Sequence, residues 1–392
     1  MTASSAAPSA GGRDRPGRVV VKVGTSLLTK DGCVLDRAFM ERLVAQLVAV
    51  RHAGWQVVLV TSGAIAAGRS RLPLDQEQKD IPSKQVLASV GQPLLMQEYE
   101  KLFAPADVIV AQALLTKHDL CHRIGYRNAR NTLLALLKRG MLPVVNENDV
   151  VAVDELPHGE RFGDNDTLSA MVANVVQADL LLILSDIAGL YTADPHKDSR
   201  AILVPEVAHI DDDIERMARG TSSQHGTGGM LTKLDAARIA TASGVTVWIT
   251  HGQQPDIVPR LLASGHEHII GTRFPTNTRP KSKHRWILSA LVNRAAVHVD
   301  AGAVTALLER GRSLLPVGVQ ATQGRFDRRD PVSLVGPDGH NLACGLANYA
   351  AADVARIKGL RSDRIAAVLG HTLGDEVVHR DNLVILNGTP GT

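Results

Sequence analysis

Six short runs of the chain are almost wholly apolar: "RVVVKV" (18–23), "WQVVLV" (55–60), "DVIVAQ" (107–112), "MLPVVN" (141–146), "DLLLIL" (179–184) and "VTVWIT" (245–250). Most lack the polar/apolar alternation of a strand with one wet face. Continuous Val/Ile/Leu runs predict strands covered on both faces, as in a parallel sheet. Stretches of helical period lie between them. In 36–53, Phe39, Leu43, Leu47 and Val50 fall on one face, with Asp36 placed as an N-cap and Gly54 as a stop. "NTLLALLKRG" (131–140) and "TLSAMVANVVQA" (167–178) behave alike. Strands alternating with helices predict an α/β fold, doubly wound around a mainly parallel sheet.

Such folds bind ligands beyond the carboxyl ends of their strands. Lys22 and "GTS" (24–26) close the first run, and "TSGAIAAG" (61–68) follows the second. "NEND" (146–149) ends the fourth, and "SDIAGLYTADP" (185–195) follows the fifth. "FGDND" (162–166) leads into a helix, and "GTGGMLTK" (226–233) precedes "LDAARIATASG", which reads as a helix stopping at Gly244. Glycines leave backbone N–H groups open to an anion, and a helix N-terminus favours one. Thr232 stands before Lys233, so the order is not that of a Walker loop, where lysine precedes the hydroxyl. Lys22 and Lys233 together could hold the β- and γ-phosphates of a nucleotide and neutralise charge that develops in transfer. The acidic clusters have three readings: oxygen ligands for Mg²⁺, a cap through Asp164 or Asp166, or a grip on a substrate ammonium. No histidine or cysteine stands out as a nucleophile, and phosphoryl transfer does not need one.

Composition narrows the setting. The chain has 392 residues, 44% hydrophobic and 21% charged, which suits a globular protein of two or three domains. A net charge of +3 is too small to argue for nucleic acid. Cys33, Cys121 and Cys344 lie far apart without C-x-x-C spacing, so a reducing cytoplasm is expected rather than a disulfide framework or zinc site. Residues 1–17 read as a disordered tail, and no run approaches the ~18 apolar residues of a membrane span.

From about Arg294 the apolar runs shorten and are split by Gly, Pro and Asp, with "GPDGH" a turn between two strands. This predicts a small, mostly β domain over 294–372, after a linker (281–293) and before a C-terminal tail (373–392). Between Arg294 and Arg364 ten Arg/Lys stand against seven Asp/Glu, with Phe326 and Tyr349 the only Phe, Tyr or Trp. RNA binding is therefore expected to be weak at best. The motifs that carry chemistry end before Pro280, so a chain cut near Lys283 is expected to remain a folded catalyst.

"VKVGTSLLT" (21–29), "VTSGAIAAG" (60–68), "PVVNEND" (143–149), "FGDND" (162–166), "LSDIAGLYTADP" (184–195) and "GTGGMLTKLDAA" (226–237) closely resemble the glutamate 5-kinases of the amino acid kinase family. The resemblance implies that residues 18–280 form an amino acid kinase domain. It also implies ATP-dependent phosphorylation of the γ-carboxylate of L-glutamate, the first step of proline synthesis, with ATP as co-substrate, Mg²⁺ and no metal-ligating residue of the protein's own. It implies catalytic roles for Lys22, Lys233 and Asp166, the last orienting the two lysines. Ser62, Asp149 and Asn165 would bind glutamate. Lys22, Gly24, Thr25, Ser185, Asp186, Thr227, Gly228, Gly229, Met230, Leu231, Thr232 and Lys233 would bind the nucleotide. Inhibition by L-proline, a homo-oligomer and a cytoplasmic location away from membranes follow from the same resemblance. "SLLPVGV", "G-R-F" and "GLANY" resemble the PUA domain, known in RNA-modifying enzymes, but "RRDPV" replaces a common Gly-Asp turn and Cys344 a common arginine. Two rivals are another kinase of the family (acetylglutamate, aspartate or uridylate kinase) and an RNA-binding protein with an inert kinase-like part. An acetylated substrate would leave Asp149 without an ammonium to hold, and the intact lysines argue against inertness.

Overall fold

The structure is a computed structural model that describes residues 16–30, 32–72, 80–152, 165–195, 197–219, 229–263, 271–276, 282–291 and 295–386. It divides into two units. The first is drawn from Met1–Thr116, Arg130–Thr241 and Val245–Thr276, and the second from Lys117–Ala129, Ala242–Gly244 and Asn277–Thr392.

The first unit is built on seven strands: β1 (Arg18–Val23), β2 (Gln56–Val60), β3 (Val110–Leu115), β4 (Leu142–Glu147), β5 (Leu180–Ser185), β6 (Thr246–His251) and β7 (Gly271–Phe274). Their order is β3-β4-β2-β1-β5-β6-β7, and every pairing is parallel except that of β7 on β6. β1 is buried along its whole length. Its period of two sends Val19, Val21 and Val23 into a core with Phe39, Leu43 and Leu47 of α1 (Arg37–His52) and Tyr99 and Phe103 of α3 (Ile81–Phe103). Val20 and Lys22 alternate onto the opposite face. Asp36 caps α1 by accepting from the Phe39 N–H at 3.1 Å.

Five strands fall within one residue of the positions expected from sequence. β3 does not, beginning at Val110 rather than Asp107. Ala104–Ala106 forms a tight turn and Asp107 takes a left-handed φ of 54°, so the start of that apolar run is spent on the turn. The helix expected over 131–140 extends back to Arg123, giving α4 (Arg123–Lys138); Arg123, Arg127 and Arg130 had hidden its first half. α5 (Asn165–Val176) is buried on every face. α6 (Met230–Ala242) starts inside "GTGGMLTK", so Met230, Leu231, Thr232 and Lys233 form its first turn rather than a loop.

The second unit carries a five-stranded sheet of β8 (Ala296–Val299), β9 (Val319–Gln323), β10 (Pro331–Val335), β11 (Asn341–Ala347) and β12 (Val378–Ile385), in the order β9-β8-β10-β11-β12. "GPDGH" joins β10 to β11, with the Gly336 N–H donating to His340 O at 2.9 Å. At "RRDPV" Arg329 adopts φ 72°, so the expected turn is made by an arginine in a backbone region that favours glycine. Two sequence assignments are corrected. The tail from 373 contains β12, hidden because Arg380, Asp381 and Asn382 interrupt its apolar pattern. The linker 281–293 contains a helix (Ser282–Ile287) and a following turn, whose Ile287 and Leu288 pack with Cys344 and Leu386. Trp286 Nε1 also donates to Cys121 O at 3.4 Å.

Candidate active site

The carboxyl ends of β1, β2, β4 and β5 meet in register: Lys22 lies level with Val60 of β2 and Ile183 of β5, and Val60 with Val145 of β4. Lys22 Nζ lies 2.6 Å from Asp166 Oδ1 in the first turn of α5. Lys233 Nζ lies 3.2 Å from Asp166 Oδ2, and the Thr232 hydroxyl donates to that oxygen at 3.0 Å. Asp166 is 1% exposed and each lysine 7%. Burial alone would raise the Asp166 carboxyl, but the Lys22 and Lys233 ammonium groups and the bonds from Lys22 and Thr232 hold it well below the usual carboxylate range. One carboxylate between two ammonium groups leaves a net buried positive charge, an electrostatic seat for an anion. Gly24 follows β1 directly, where a Cβ would come within 3.4 Å of Lys22 Nζ. Gly229 precedes α6 with open space where a Cβ would stand.

A chain of buried amides runs beside this trio. Asn165 Nδ2 shares its two hydrogens among three acceptors, Thr61 O and Ser62 Oγ, both at 2.9 Å, and Asn146 Oδ1 at 3.1 Å. Asn146 Oδ1 also accepts from the Glu147 N–H, and its Nδ2 donates to Gln92 Oε1, both at 2.9 Å. The Thr61 N–H donates to Val145 O, and Gly63 takes φ 100°, a value suited to glycine that turns the chain into α2 (Ala64–Arg69). Behind the turn, the Thr61 and Tyr99 hydroxyls lie 2.7 Å apart. Among the described residues, Asn165 Oδ1, an acceptor, and Gln92 Nε2, a donor, have no partner in this network. Leaving such buried groups unpaired costs about 1–3 kcal/mol each, which makes them candidates for contact with a ligand's polar atoms. Asp149, in the turn after β4, has its carboxyl pushed up to about 6 by burial. At the end of β5 the Ser185 hydroxyl donates to Asp186 Oδ1 at 3.0 Å.

Residues 17–251 match the amino acid kinase family, and residues 295–369 the PUA domain. The glutamate 5-kinase of Dehalococcoides mccartyi (strain CBDB1) is 51% identical over 94% of this chain and 98% of its own length. That of Herpetosiphon aurantiacus is 50% identical over 95% and 99%. The chain belongs to the glutamate 5-kinase branch of the amino acid kinase family. Among solved structures, an isopentenyl phosphate kinase aligns at a TM-score of 0.45 and 18% identity, covering 66% of this chain and 99% of that one.

The amino acid kinase fold brings together Lys22, Asp166, Asn165, Ser62, Thr232 and Lys233, drawn from four separate stretches of chain. Ser185 and Asp186 stand at the same edge of the sheet, beyond β5. Thr227 and Gly228 lie outside the described residues. Asp166 is the second residue of α5, inside the helix rather than at its cap. Asn146, Gln92 and Tyr99 were missed as site residues. Asn146 was in plain view in "NEND", but its bonds depend on partners distant in sequence. Gln92 and Tyr99 lie seven residues apart on α3, whose apolar pattern is too weak to announce a helix; polar groups at that spacing within it are the one available signal.

Proposed function

We propose that this chain transfers the γ-phosphoryl group of ATP to the γ-carboxylate of L-glutamate, yielding ADP and L-glutamyl 5-phosphate, the opening step of proline synthesis. The observation that carries the reading is the Lys22–Asp166–Lys233 trio standing next to Asn165 Oδ1, an acceptor with no partner among the described residues. A glutamate γ-carboxylate, with a pKa near ~4.3, is ionised at neutral pH and needs no general base. Its oxygen forms the bond to the γ-phosphorus as the bond to the β,γ-bridging oxygen breaks, and that electron pair leaves with ADP. The difficulty is repulsion between two anions. Lys22 and Lys233 lower it and neutralise the equatorial oxygens, while Asp166 keeps both ammonium groups pointed at one place. Asn165 Oδ1 and Asp149 receive the α-ammonium, with Ser62 beside them.

Among the described residues no group of three or more His, Cys, Asp or Glu could hold a metal ion, and both Asp166 oxygens face ammonium groups, so Asp166 itself does not fit as a metal ligand. Mg²⁺ is assigned to the incoming ATP as the counter-ion of its phosphates. L-Proline shares the α-ammonium and α-carboxylate of glutamate, so it is expected to raise the glutamate KM without lowering kcat; initial-rate kinetics at several proline concentrations check this. The deciding experiment traps the product. Full-length protein with Mg-ATP, L-glutamate and hydroxylamine should give γ-glutamyl hydroxamate. Hydroxamate formed only with N-acetylglutamate or aspartate would overturn the reading, as would ADP release only with UMP.

A further inference from the structure

The orientations of the amides in the buried network are fixed by main-chain groups. The Glu147 N–H can only donate, so the atom of Asn146 that faces it at 2.9 Å is the oxygen, which leaves Asn146 Nδ2 to donate to Gln92 Oε1. The Gln92 amide is thereby oriented with Nε2 turned away from Asn146, and that donor has no acceptor among the described residues although the residue is 9% exposed. In the same way the Thr61 carbonyl can only accept, which fixes Asn165 Nδ2 toward it and leaves Asn165 Oδ1 without a partner among the described residues, in a residue 6% exposed. Among the described residues the network thus offers Asn165 Oδ1 as a vacant acceptor and Gln92 Nε2 as a vacant donor. An α-amino acid headgroup supplies the complementary pair, an ammonium that donates and a carboxylate that accepts.

The sheet sets which end of the substrate reaches Gln92. β1, β2 and β4 are successive neighbours, and Lys22 is level with Val145, one residue before Asn146. Asn146 thus lies two strand spacings, roughly 10 Å, to the side of Lys22, and Gln92 is bonded to Asn146. The phosphoryl-accepting carboxylate must sit at the lysines, so the carboxylate near Gln92 is the other one. We propose that Gln92 is a specificity-determining residue whose Nε2 donates to the α-carboxylate of the bound amino acid. This rests on the glutamate reading above and adds a contact to it.

The test uses the full-length chain and two substrates with intact γ-carboxylates: L-glutamate, and its α-amide, L-isoglutamine. Wild type should prefer glutamate. Gln92→Glu keeps an acceptor for Asn146 but turns the donor into a carboxylate. Its glutamate KM should rise by ~100-fold or more, because two carboxylates then face each other. Its isoglutamine KM should hold or fall, since the amide N–H can donate to Glu. The KM for ATP should stay within about two-fold. Gln92→Met, which cannot fail through a buried charge, should raise the glutamate KM by ~10-fold and narrow the preference over the amide. An equal loss for both substrates would assign Gln92 a purely structural role and overturn the proposal. An unchanged glutamate KM in Gln92→Met would overturn it too, by showing that the vacant donor is met by water. Absence of glutamate-dependent ADP release in folded wild type is a different failure, which removes the glutamate reading and this contact together.

Discussion

Asp149 is held at a cost. Burial raises its carboxyl to about 6, above the ~3.9 of an unfolded chain. A folded pKa above the unfolded one means that the stability it contributes is complete below about pH 4 and is lost as pH rises through about 6. Asp149→Asn should therefore be more stable than wild type at pH 7.5, by about 1–2 kcal/mol after allowance for partial exposure, with the gap closing below pH 4. Thermal melts across pH check it. The same variant should raise the glutamate KM by ~10–100-fold, because a charge-assisted bond to the ammonium is weakened. In wild type the glutamate KM should climb as pH falls through about 6. Lys233 has the opposite signature. Lys233→Ala should cut kcat by ~10²–10³ while leaving the glutamate KM nearly constant, since its charge acts on the transferred group. Asp166 stays paired with Lys22 in that variant, so the loss is not one of folding.

The position of the amide network depends on how closely two helices approach. α2 and α3 meet through Gly68 and Gly91; a Cβ on Gly91 would run into the Ala64 carbonyl oxygen, and one on Gly68 into that of Leu87. Backbone cannot yield as a side chain tip can. Gly91→Ala should destabilise the protein by about 1–3 kcal/mol or more, and it should raise the glutamate KM because Gln92 is the next residue. A melt and a KM measured on the same preparation test both halves. These contacts also mark what sequence could and could not tell. The strands were legible because a buried parallel sheet writes continuous Val/Ile/Leu runs, and α1 because Asp36 and an apolar stripe frame it. Lys22, Asp166 and Lys233 were legible as residue types beside glycines and hydroxyls. Their convergence on a single carboxylate was not, since Asp166 meets partners 144 and 67 residues away by number, through pairing that only the sheet order supplies. α3 was missed because its apolar residues spread round the helix, and β12 because polar residues break an edge strand.

At the scale of the molecule, the C-terminal part is no simple appendage. The second unit includes Lys117–Ala129 together with Asn277–Thr392, and Trp286 reaches Cys121 within it. A chain cut near Lys283 loses Trp286, Ile287 and Leu288 along with the sheet that covers the last two. It should melt at lower temperature and aggregate more readily than the full chain, against the clean separation that the motif positions suggested; static light scattering on heating checks this. The same discontinuity orders events during synthesis. Residues 117–129 leave the ribosome long before Trp286, which lies 165 positions beyond Cys121. At ~5–20 residues per second that gap is roughly ten to thirty seconds. Through that interval the nascent chain carries buried-to-be Leu120 and Cys121 without their final neighbours, while β4, β5 and β6 emerge in turn and can join β1, β2 and β3. The catalytic sheet is thus expected to close first, with the segment 117–129 gaining its final neighbours only later.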